Sequence, residues 1–542
     1  MVILNHKEGV FLRNNKFDLR ILIVFIMITV LMFISVLRIY KISTDSKIAA
    51  KQYTNYYRIK LSNIRGSIFD KDLNAITNNS YKYMAVVSPT PLGMAAISEY
   101  LFEDERLKQI LDTLKKGKPA VLEVDSIIDS PAIECVKIFE NDIKNYYPAQ
   151  LIGYTNSENH GVSGVQSAYD ELLFSNETVD AVFAVDTLGN VLDGVQSEII
   201  GDVSLYKSGV ALTIDSAVQK ATYKAMQSVI SGAAVVSEIG TGKIRAMVSV
   251  PDFDIKNVGE YLEKENSPLI NRALSAYNVG SAFKPCVAAA LLENGADNYV
   301  INCLGSTYVD EHKFNCHNKS GHGWVNLKDA ITKSCNVFFY NISGMLGADE
   351  IYNYASIFGF GKEIDLGGVC TQKGKVTDRD TLKNSNTALA NLSIGQGELL
   401  LSPVSMLTLY EAIANGGVYH MPTVVEGTVN KGVLTQNKSS SPTYALSKKT
   451  AETLKNYLIN VVENGTGGEA KSESCLVAGK TATAETGWRK NGQLIQNSWF
   501  CGFFPADNPK YVAVVLIEDQ EANGTAAAPI FKKIVEEIMQ LS

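Results

Sequence analysis

The sequence predicts a multidomain α+β protein, with one membrane-spanning helix near its start and a C-terminal domain in which helices flank an antiparallel sheet. Three observations predict it. At 542 residues the chain exceeds what one ordinary core organises, so two or three domains are expected. Residues 21–37 are almost wholly apolar. Strand-like patterns recur at both ends of the region after Tyr206 with helical patterns between them, so one sheet must draw on distant stretches of chain.

The apolar segment is interrupted only by Thr29 and Ser35, and Ile39 and Tyr40 extend it beyond Arg38. It approaches the roughly 20 residues that cross a bilayer. Lys7, Arg13, Lys16 and Arg20 precede it, which keeps residues 1–20 cytoplasmic and makes 21–40 the span. The stretch is long for a cleaved signal, and no small-x-small site follows it directly, so a retained single-pass anchor is expected. The bulk of the chain then lies outside the cytoplasmic membrane. Its hydrophobic content of 46% and charged content of 20% suit a globular protein, and a net charge of −7 excludes the basic footprint that nucleic acid requires. The eight cysteines are irregularly spaced and read mostly as small buried hydrophobes.

In chain order, Arg65-Gly-Ser-Ile-Phe-Asp70 reads as a turn into a strand, residues 83–87 as a strand and 97–114 as one helix. Asp186-Thr-Leu-Gly189 suits a hairpin turn. Residues 210–214 form a strand and Asp215 caps the helix after it. Residues 233–239 and 244–250 flank Gly240-Thr-Gly242 as a hairpin. Residues 438–442 read as a loop, 498–504 and 511–518 as a strand pair, and about 529–539 as a final helix.

Three strings carry chemistry. Ser281-Ala-Phe-Lys284 follows Gly280 and opens an Ala/Leu-rich helix in which Pro285 is tolerated in the first turn. Ser281 then sits at a helix N-terminus, whose free N–H groups stabilise an oxyanion. Lys284 projects one turn on, and desolvation beside other cations lowers its pKa enough to take the serine proton. Ser334-Cys-Asn336 lies between two helical stretches; Ser334 can relay a proton to a leaving amine and Asn336 can bind a substrate amide. Lys480-Thr-Ala-Thr483 reads as a strand edge, with Lys480 and Ala482 on one face and Thr481 and Thr483 on the other. Alone, each string is equally an ordinary capping serine, helix connection or strand.

In order and spacing the three resemble the active-site motifs of penicillin-binding proteins and serine β-lactamases. Further blocks resemble the class B penicillin-binding proteins in particular. These are Arg65-Gly-x-Ile-x-Asp70; Gly161-x-x-Gly-x-Gln-x-x-Tyr-Asp170, with Gln166 where that family has Glu; Leu212-Thr-Ile-Asp215; Gly395-Gln-Gly397; Ala414-Asn-Gly-Gly417; and Trp499-Phe500. The resemblance covers most of the chain from Arg65. It implies a pedestal, dimerisation-type domain over 41–204 and a penicillin-binding, transpeptidase domain over 205–542. It implies a D,D-transpeptidase of peptidoglycan synthesis in a bacterial cell membrane: Ser281 nucleophile, Lys284 base, Ser334 and Asn336 second element. Lys480 and Thr481 would hold a substrate carboxylate and the Thr483 N–H would complete the oxyanion hole. Acyl transfer of this kind requires no cofactor. Stem peptides and β-lactams are the implied ligands, and a membrane glycosyltransferase with other cell-wall synthesis proteins the implied partners. A D,D-carboxypeptidase or β-lactamase using the same serine, or a weak scaffold or β-lactam sensor, are the alternatives.

Two features depart from a plain match. The family's third motif ends in Gly and this one in Ala482, so a narrowed cleft is expected, with the methyl on the Lys480 side. Cys303, Cys316, His322 and Cys335 have types that suit tetrahedral zinc, and elongation-type relatives carry a metal site in this region. A Cys303–Cys316 disulfide or free thiols are the other readings; His312 and His317 are expected to be solvated.

Overall fold

The structure is a computed structural model that describes residues 15–44, 55–102, 104–192, 195, 197–296, 298–490, 493–521 and 527–541. The expected cytoplasmic segment 1–20 lies largely outside them. Helix α1 (Asn15–Thr44) contains the apolar segment, and its stretch Arg20–Lys41 is long and apolar enough to cross a bilayer. The hydroxyls of Thr29 and Ser35 are satisfied within the helix, each donating to a carbonyl one turn back at 2.8 Å. Both are therefore compatible with a hydrocarbon environment.

The chain divides into two compact units. The smaller comprises residues 1–62, 82–138 and 178–201. In it Tyr83–Val87 pair antiparallel with Ala120–Val124, and Ala85, Val87, Ile97, Leu114 and Leu122 fill its core. The single helix expected over 97–114 is two helices, Pro91–Tyr100 and Arg106–Lys115. Asp104 breaks it, because its carboxylate accepts from the Arg106 N–H at 2.8 Å and offers the backbone an alternative to helical pairing. Asp186 turns the chain as expected, accepting from the N–H of Leu188 and of Asn190.

The larger unit comprises residues 63–81, 139–177 and 202–542. This differs from a boundary at 204: two segments assigned from sequence to an N-terminal domain belong with the C-terminal one. Three contacts within the unit explain it. Strand Ser67–Phe69 pairs in parallel with Gly209–Leu212. The buried Asp70 carboxylate accepts from Ser216. Arg65, also buried, donates to Gln166 Oε1 at 2.7 Å and pairs with Asp170 at 2.8 Å. Gln166 thus meets the guanidinium with a neutral acceptor and leaves the charge to Asp170, which suits a buried cation that tolerates only well-paired anions.

The main sheet of this unit is built from both ends of its chain. In order come helix α2 (Ser216–Met226, capped by Asp215 as expected), β1 (Gly232–Glu238), β2 (Ile244–Val250), α3 (Lys284–Glu293), α4 (Leu327–Thr332), α5 (Asn336–Ile357), α6 (Lys448–Asn464), β3 (Ala478–Lys490), β4 (Gln493–Phe504), β5 (Tyr511–Glu521) and α7 (Ala527–Met539). The five strands run antiparallel in the order β2-β1-β5-β4-β3, so the third motif lies on an edge. One face packs α2 and α7 through Val515, Phe500 and Phe531. The other packs the helical region through Trp499, Val514 and Phe283.

Candidate active site

Ser281 lies in a 3-10 turn, Gly280–Phe283, that runs directly into α3. Gly280 has φ of +62°, and a Cβ there would stand 2.9 Å from the Thr483 carbonyl oxygen. The turn therefore presses against strand β3 more closely than a side chain allows. Gly280 N–H donates to the Gly395 carbonyl at 2.9 Å, and a Cβ on Gly395 would overlap the Gly280 carbonyl, which accounts for glycine in that block.

Strand β3 presents backbone to this turn. The Thr483 carbonyl faces Gly280, and the Thr481 carbonyl accepts from Lys480 Nζ at 2.9 Å. In an antiparallel pair a residue turns its N–H and C=O to the same side. The Thr483 N–H therefore points off the free edge, on the side of Gly280.

Lys284 is fully buried at the centre. Its ammonium lies 2.8 Å from the Ser334 carbonyl, 3.2 Å from Ser334 Oγ and 2.7 Å from Asn336 Oδ1, with the Phe339 ring 5.2 Å away. Burial pushes its pKa down to about 7, against the opposing pull of the Cys335 and Cys316 thiols. Ser334 joins α4 to α5 in the left-handed region, at φ +53°. That conformation costs a non-glycine residue roughly 1 kcal/mol or more, and it aims both carbonyl and hydroxyl at Lys284. Among the described residues the Ser281 hydroxyl makes no hydrogen bond.

Lys480 is fully buried, and burial together with the charge of Lys284 holds its pKa well below the ordinary lysine value. On the other face of the strand Thr481 is half-buried and Thr483 exposed. Thr466 was not foreseen: its hydroxyl lies 3.0 Å from that of Thr481, and its N–H donates to Thr332, close to the second motif. The Gly-Thr-Gly string over 465–467 was the available signal.

Ala482 lies on the Lys480 side, but that face is core: its methyl is 3% exposed among Ala484, Trp499 and Phe283. The narrowed cleft expected from sequence does not arise. The glycine that close packing demands is Gly479, where a Cβ would stand 2.4 Å from the Phe500 ring. Ala482→Gly is expected to leave acylation within about threefold and to lower stability by roughly 0.5–1 kcal/mol. Labelling kinetics and a denaturant titration check this; a tenfold gain in acylation would restore the steric reading.

Cys303, Cys316, His322 and Cys335 converge, with all four candidate ligand atoms within 4.8 Å of one another. His322 Nδ1 stands 3.6 Å from Cys303 Sγ and 3.5 Å from Cys316 Sγ. Cys303 ends a short strand paired with Gly323–Val325, and Cys335 caps α5. All eight cysteines are free thiols. A hydrogen bond from Cys335 pulls the Cys316 pKa down and pushes that of Cys335 up. Three thiols and an imidazole at this spacing fit a closed tetrahedral zinc site. His312 and His317 are exposed, as expected.

Residues 232–536 match the family model described as penicillin binding protein transpeptidase domain. Among curated proteins the chain is 26% identical to peptidoglycan D,D-transpeptidase FtsI of Buchnera aphidicola, covering 99% of this chain and 97% of that protein. It is 27% identical to stage V sporulation protein D of Bacillus subtilis, covering 87% and 77%. Penicillin binding protein 3 of Mycobacterium tuberculosis, solved with aztreonam, superposes with a TM-score of 0.65 at 23% identity over 90% of this chain and 97% of that one. Penicillin-binding protein PBP2 of Helicobacter pylori, solved in complex with MreC, gives 0.64 at 20% identity over 90% and 100%. At these identities the solved structures show the fold alone.

Proposed function

Because the chain belongs to the penicillin-binding protein transpeptidase family, in its class B branch, we propose that it cross-links peptidoglycan stem peptides through an acyl-enzyme on Ser281. The buried Lys284, one turn from Ser281 and bonded to both Ser334 and Asn336, is the observation that carries this reading.

The reaction takes two steps. Unprotonated Lys284 accepts the Ser281 hydroxyl proton as Oγ bonds to the penultimate D-Ala carbonyl carbon. The oxyanion sits between the N–H groups of Ser281 and Thr483. Collapse breaks the peptide bond, and a proton passing from Lys284 through Ser334 leaves with the terminal D-Ala amine. An amine of a second stem peptide then attacks the ester, yields its proton along the same path and frees Ser281. Asn336 holds the donor amide. Lys480 and Thr481 hold the terminal carboxylate. A β-lactam presents the same carbonyl and carboxylate and stays attached, which makes it the natural probe.

Helix α1 serves as a single-pass anchor, its basic N-terminal flank inside the cell and the chain that follows it outside. A membrane glycosyltransferase supplying the glycan strands is the fitting partner, in the company of other cell-wall synthesis proteins. Cys303, Cys316, His322 and Cys335 would hold a zinc ion. With four protein ligands it supplies bracing rather than a reactive position.

Fluorescent penicillin tests the reading. A stable adduct is expected on the wild type, with none on Ser281→Ala. Rapid release of label would instead make the protein a hydrolase, and absence of any adduct would sink the acyl-enzyme.

A further inference from the structure

Thr466 belongs to the Gly465-Thr-Gly467 turn that follows α6, and its hydroxyl oxygen lies 3.0 Å from that of Thr481 in the third motif. Thr466 is exposed and Thr481 half-buried, so a ligand can reach the pair.

Two glycines would leave such a turn loose, yet it is pinned to the end of α4. The Thr466 N–H donates to the Thr332 carbonyl at 3.2 Å, and Asn460 Nδ2 on α6 donates to Thr332 Oγ1 at 2.8 Å. The N–H groups of Gly465 and Gly467 both donate to the Val461 carbonyl, at 3.1 and 2.9 Å. A Cβ on Gly465 would stand 2.4 Å from the Thr332 carbonyl oxygen, so glycine is what allows this approach. Thr332 comes just before Ser334 in the chain. The Thr466 hydroxyl is thus delivered to the third motif from a turn built against the second.

The direction of the hydrogen bond between the two threonines matters. A hydroxyl carries one proton and two lone pairs, whereas a carboxylate only accepts. If Thr481 gave its proton to Thr466, it would meet an incoming carboxylate with lone pairs. With Thr466 as donor, Thr481 keeps its proton for the ligand, and the two bonds in series polarise each other. Among the described residues Thr481 is the one partner of the Thr466 hydroxyl, so no competing acceptor draws that proton away. Lys480 Nζ donates to the Thr481 carbonyl at 2.9 Å and steadies the backbone of the same residue.

Building on the Ser281 acyl-enzyme, we infer that Thr466 is a positioning residue for carboxylate recognition: by donating to Thr481 it turns the Thr481 hydroxyl proton toward the carboxylate of a stem peptide or β-lactam.

The test uses the full chain, fluorescent penicillin and a split of acylation into non-covalent Kd and first-order rate constant. Thr466→Val keeps the shape and removes the hydroxyl. It is expected to raise Kd by about 3–10-fold, the range of one lost hydrogen bond, with the melting temperature nearly unchanged. Thr466→Ser restores the donor and is expected to bind within about twofold of wild type. Thr481→Val weakens binding by itself, and adding Thr466→Val to it is expected to change Kd by less than about twofold, because a relay is lost only once. A wild-type Kd for Thr466→Val overturns the inference, and so does failure of the serine to restore binding. Losses that multiply in the double variant overturn it too, since Thr466 would then act independently of Thr481. A wild type that forms no adduct defeats the acyl-enzyme reading instead.

Discussion

Exchanging Lys284 for methionine is expected to slow acylation of Ser281 by penicillin about 10³-fold or more. Methionine fills a similar volume, so the core around Phe339 and Ser334 keeps its packing while the proton acceptor disappears. Three polar partners lose their common donor, namely the Ser334 carbonyl, Ser334 Oγ and Asn336 Oδ1. The loss therefore reaches the second motif as well as the base. The sign of the pH dependence follows from the same residue. The active form is the unprotonated amine, and burial puts its pKa at about 7. Wild-type acylation should thus rise as pH increases through about 7 and level off above it, and the variant should lose that limb. Time-resolved labelling from pH 5.5 to 8.5 measures both; a slowing of less than tenfold, or a flat wild-type profile, would remove Lys284 from its role.

Disrupting the Cys/His cluster should have the second largest effect, on stability. Cys316→Ala is the variant of choice because Cys335 lies inside the second motif. Purified wild type, prepared without chelator, is expected to carry close to one equivalent of zinc, and the variant much less than half. Structural zinc sites return a large part of their binding energy to folding, so losses of several kcal/mol and a clearly lower melting temperature are expected for the variant and for chelator-treated wild type. The coupling to chemistry is specific. Cys335 is joined covalently to Ser334 and Asn336, which hold Lys284, so acylation should fall in parallel. A metal content below half an equivalent in the wild type would leave the cluster as four packed side chains.

Much of the site was legible in the sequence because its motifs are local. A serine and a lysine one helical turn apart share a face whatever surrounds them, and alternation along a strand separates Lys480 from Thr481. The hairpin around Gly240, the Asp215 cap and the strand pair before the last helix were legible for the same reason: each rests on neighbours in the chain. The turn at Asp104 that splits 97–114 into two helices was equally local but was masked by an apolar pattern that continued across it.

What the sequence determined by itself was the groups available: a serine and a lysine one helical turn apart, an apolar span, and three cysteines and a histidine of types that suit zinc. Tertiary structure decided where each group stands. It buried Lys480, turned the Ala482 methyl into the core, tied Thr466 to Thr481, and set Arg65 against Gln166 and Asp170 within the larger unit. All of these depend on contacts between residues far apart in the chain. Burial and desolvation, which set the pKa of Lys284 and the worth of every polar contact in the site, are properties of the packed whole.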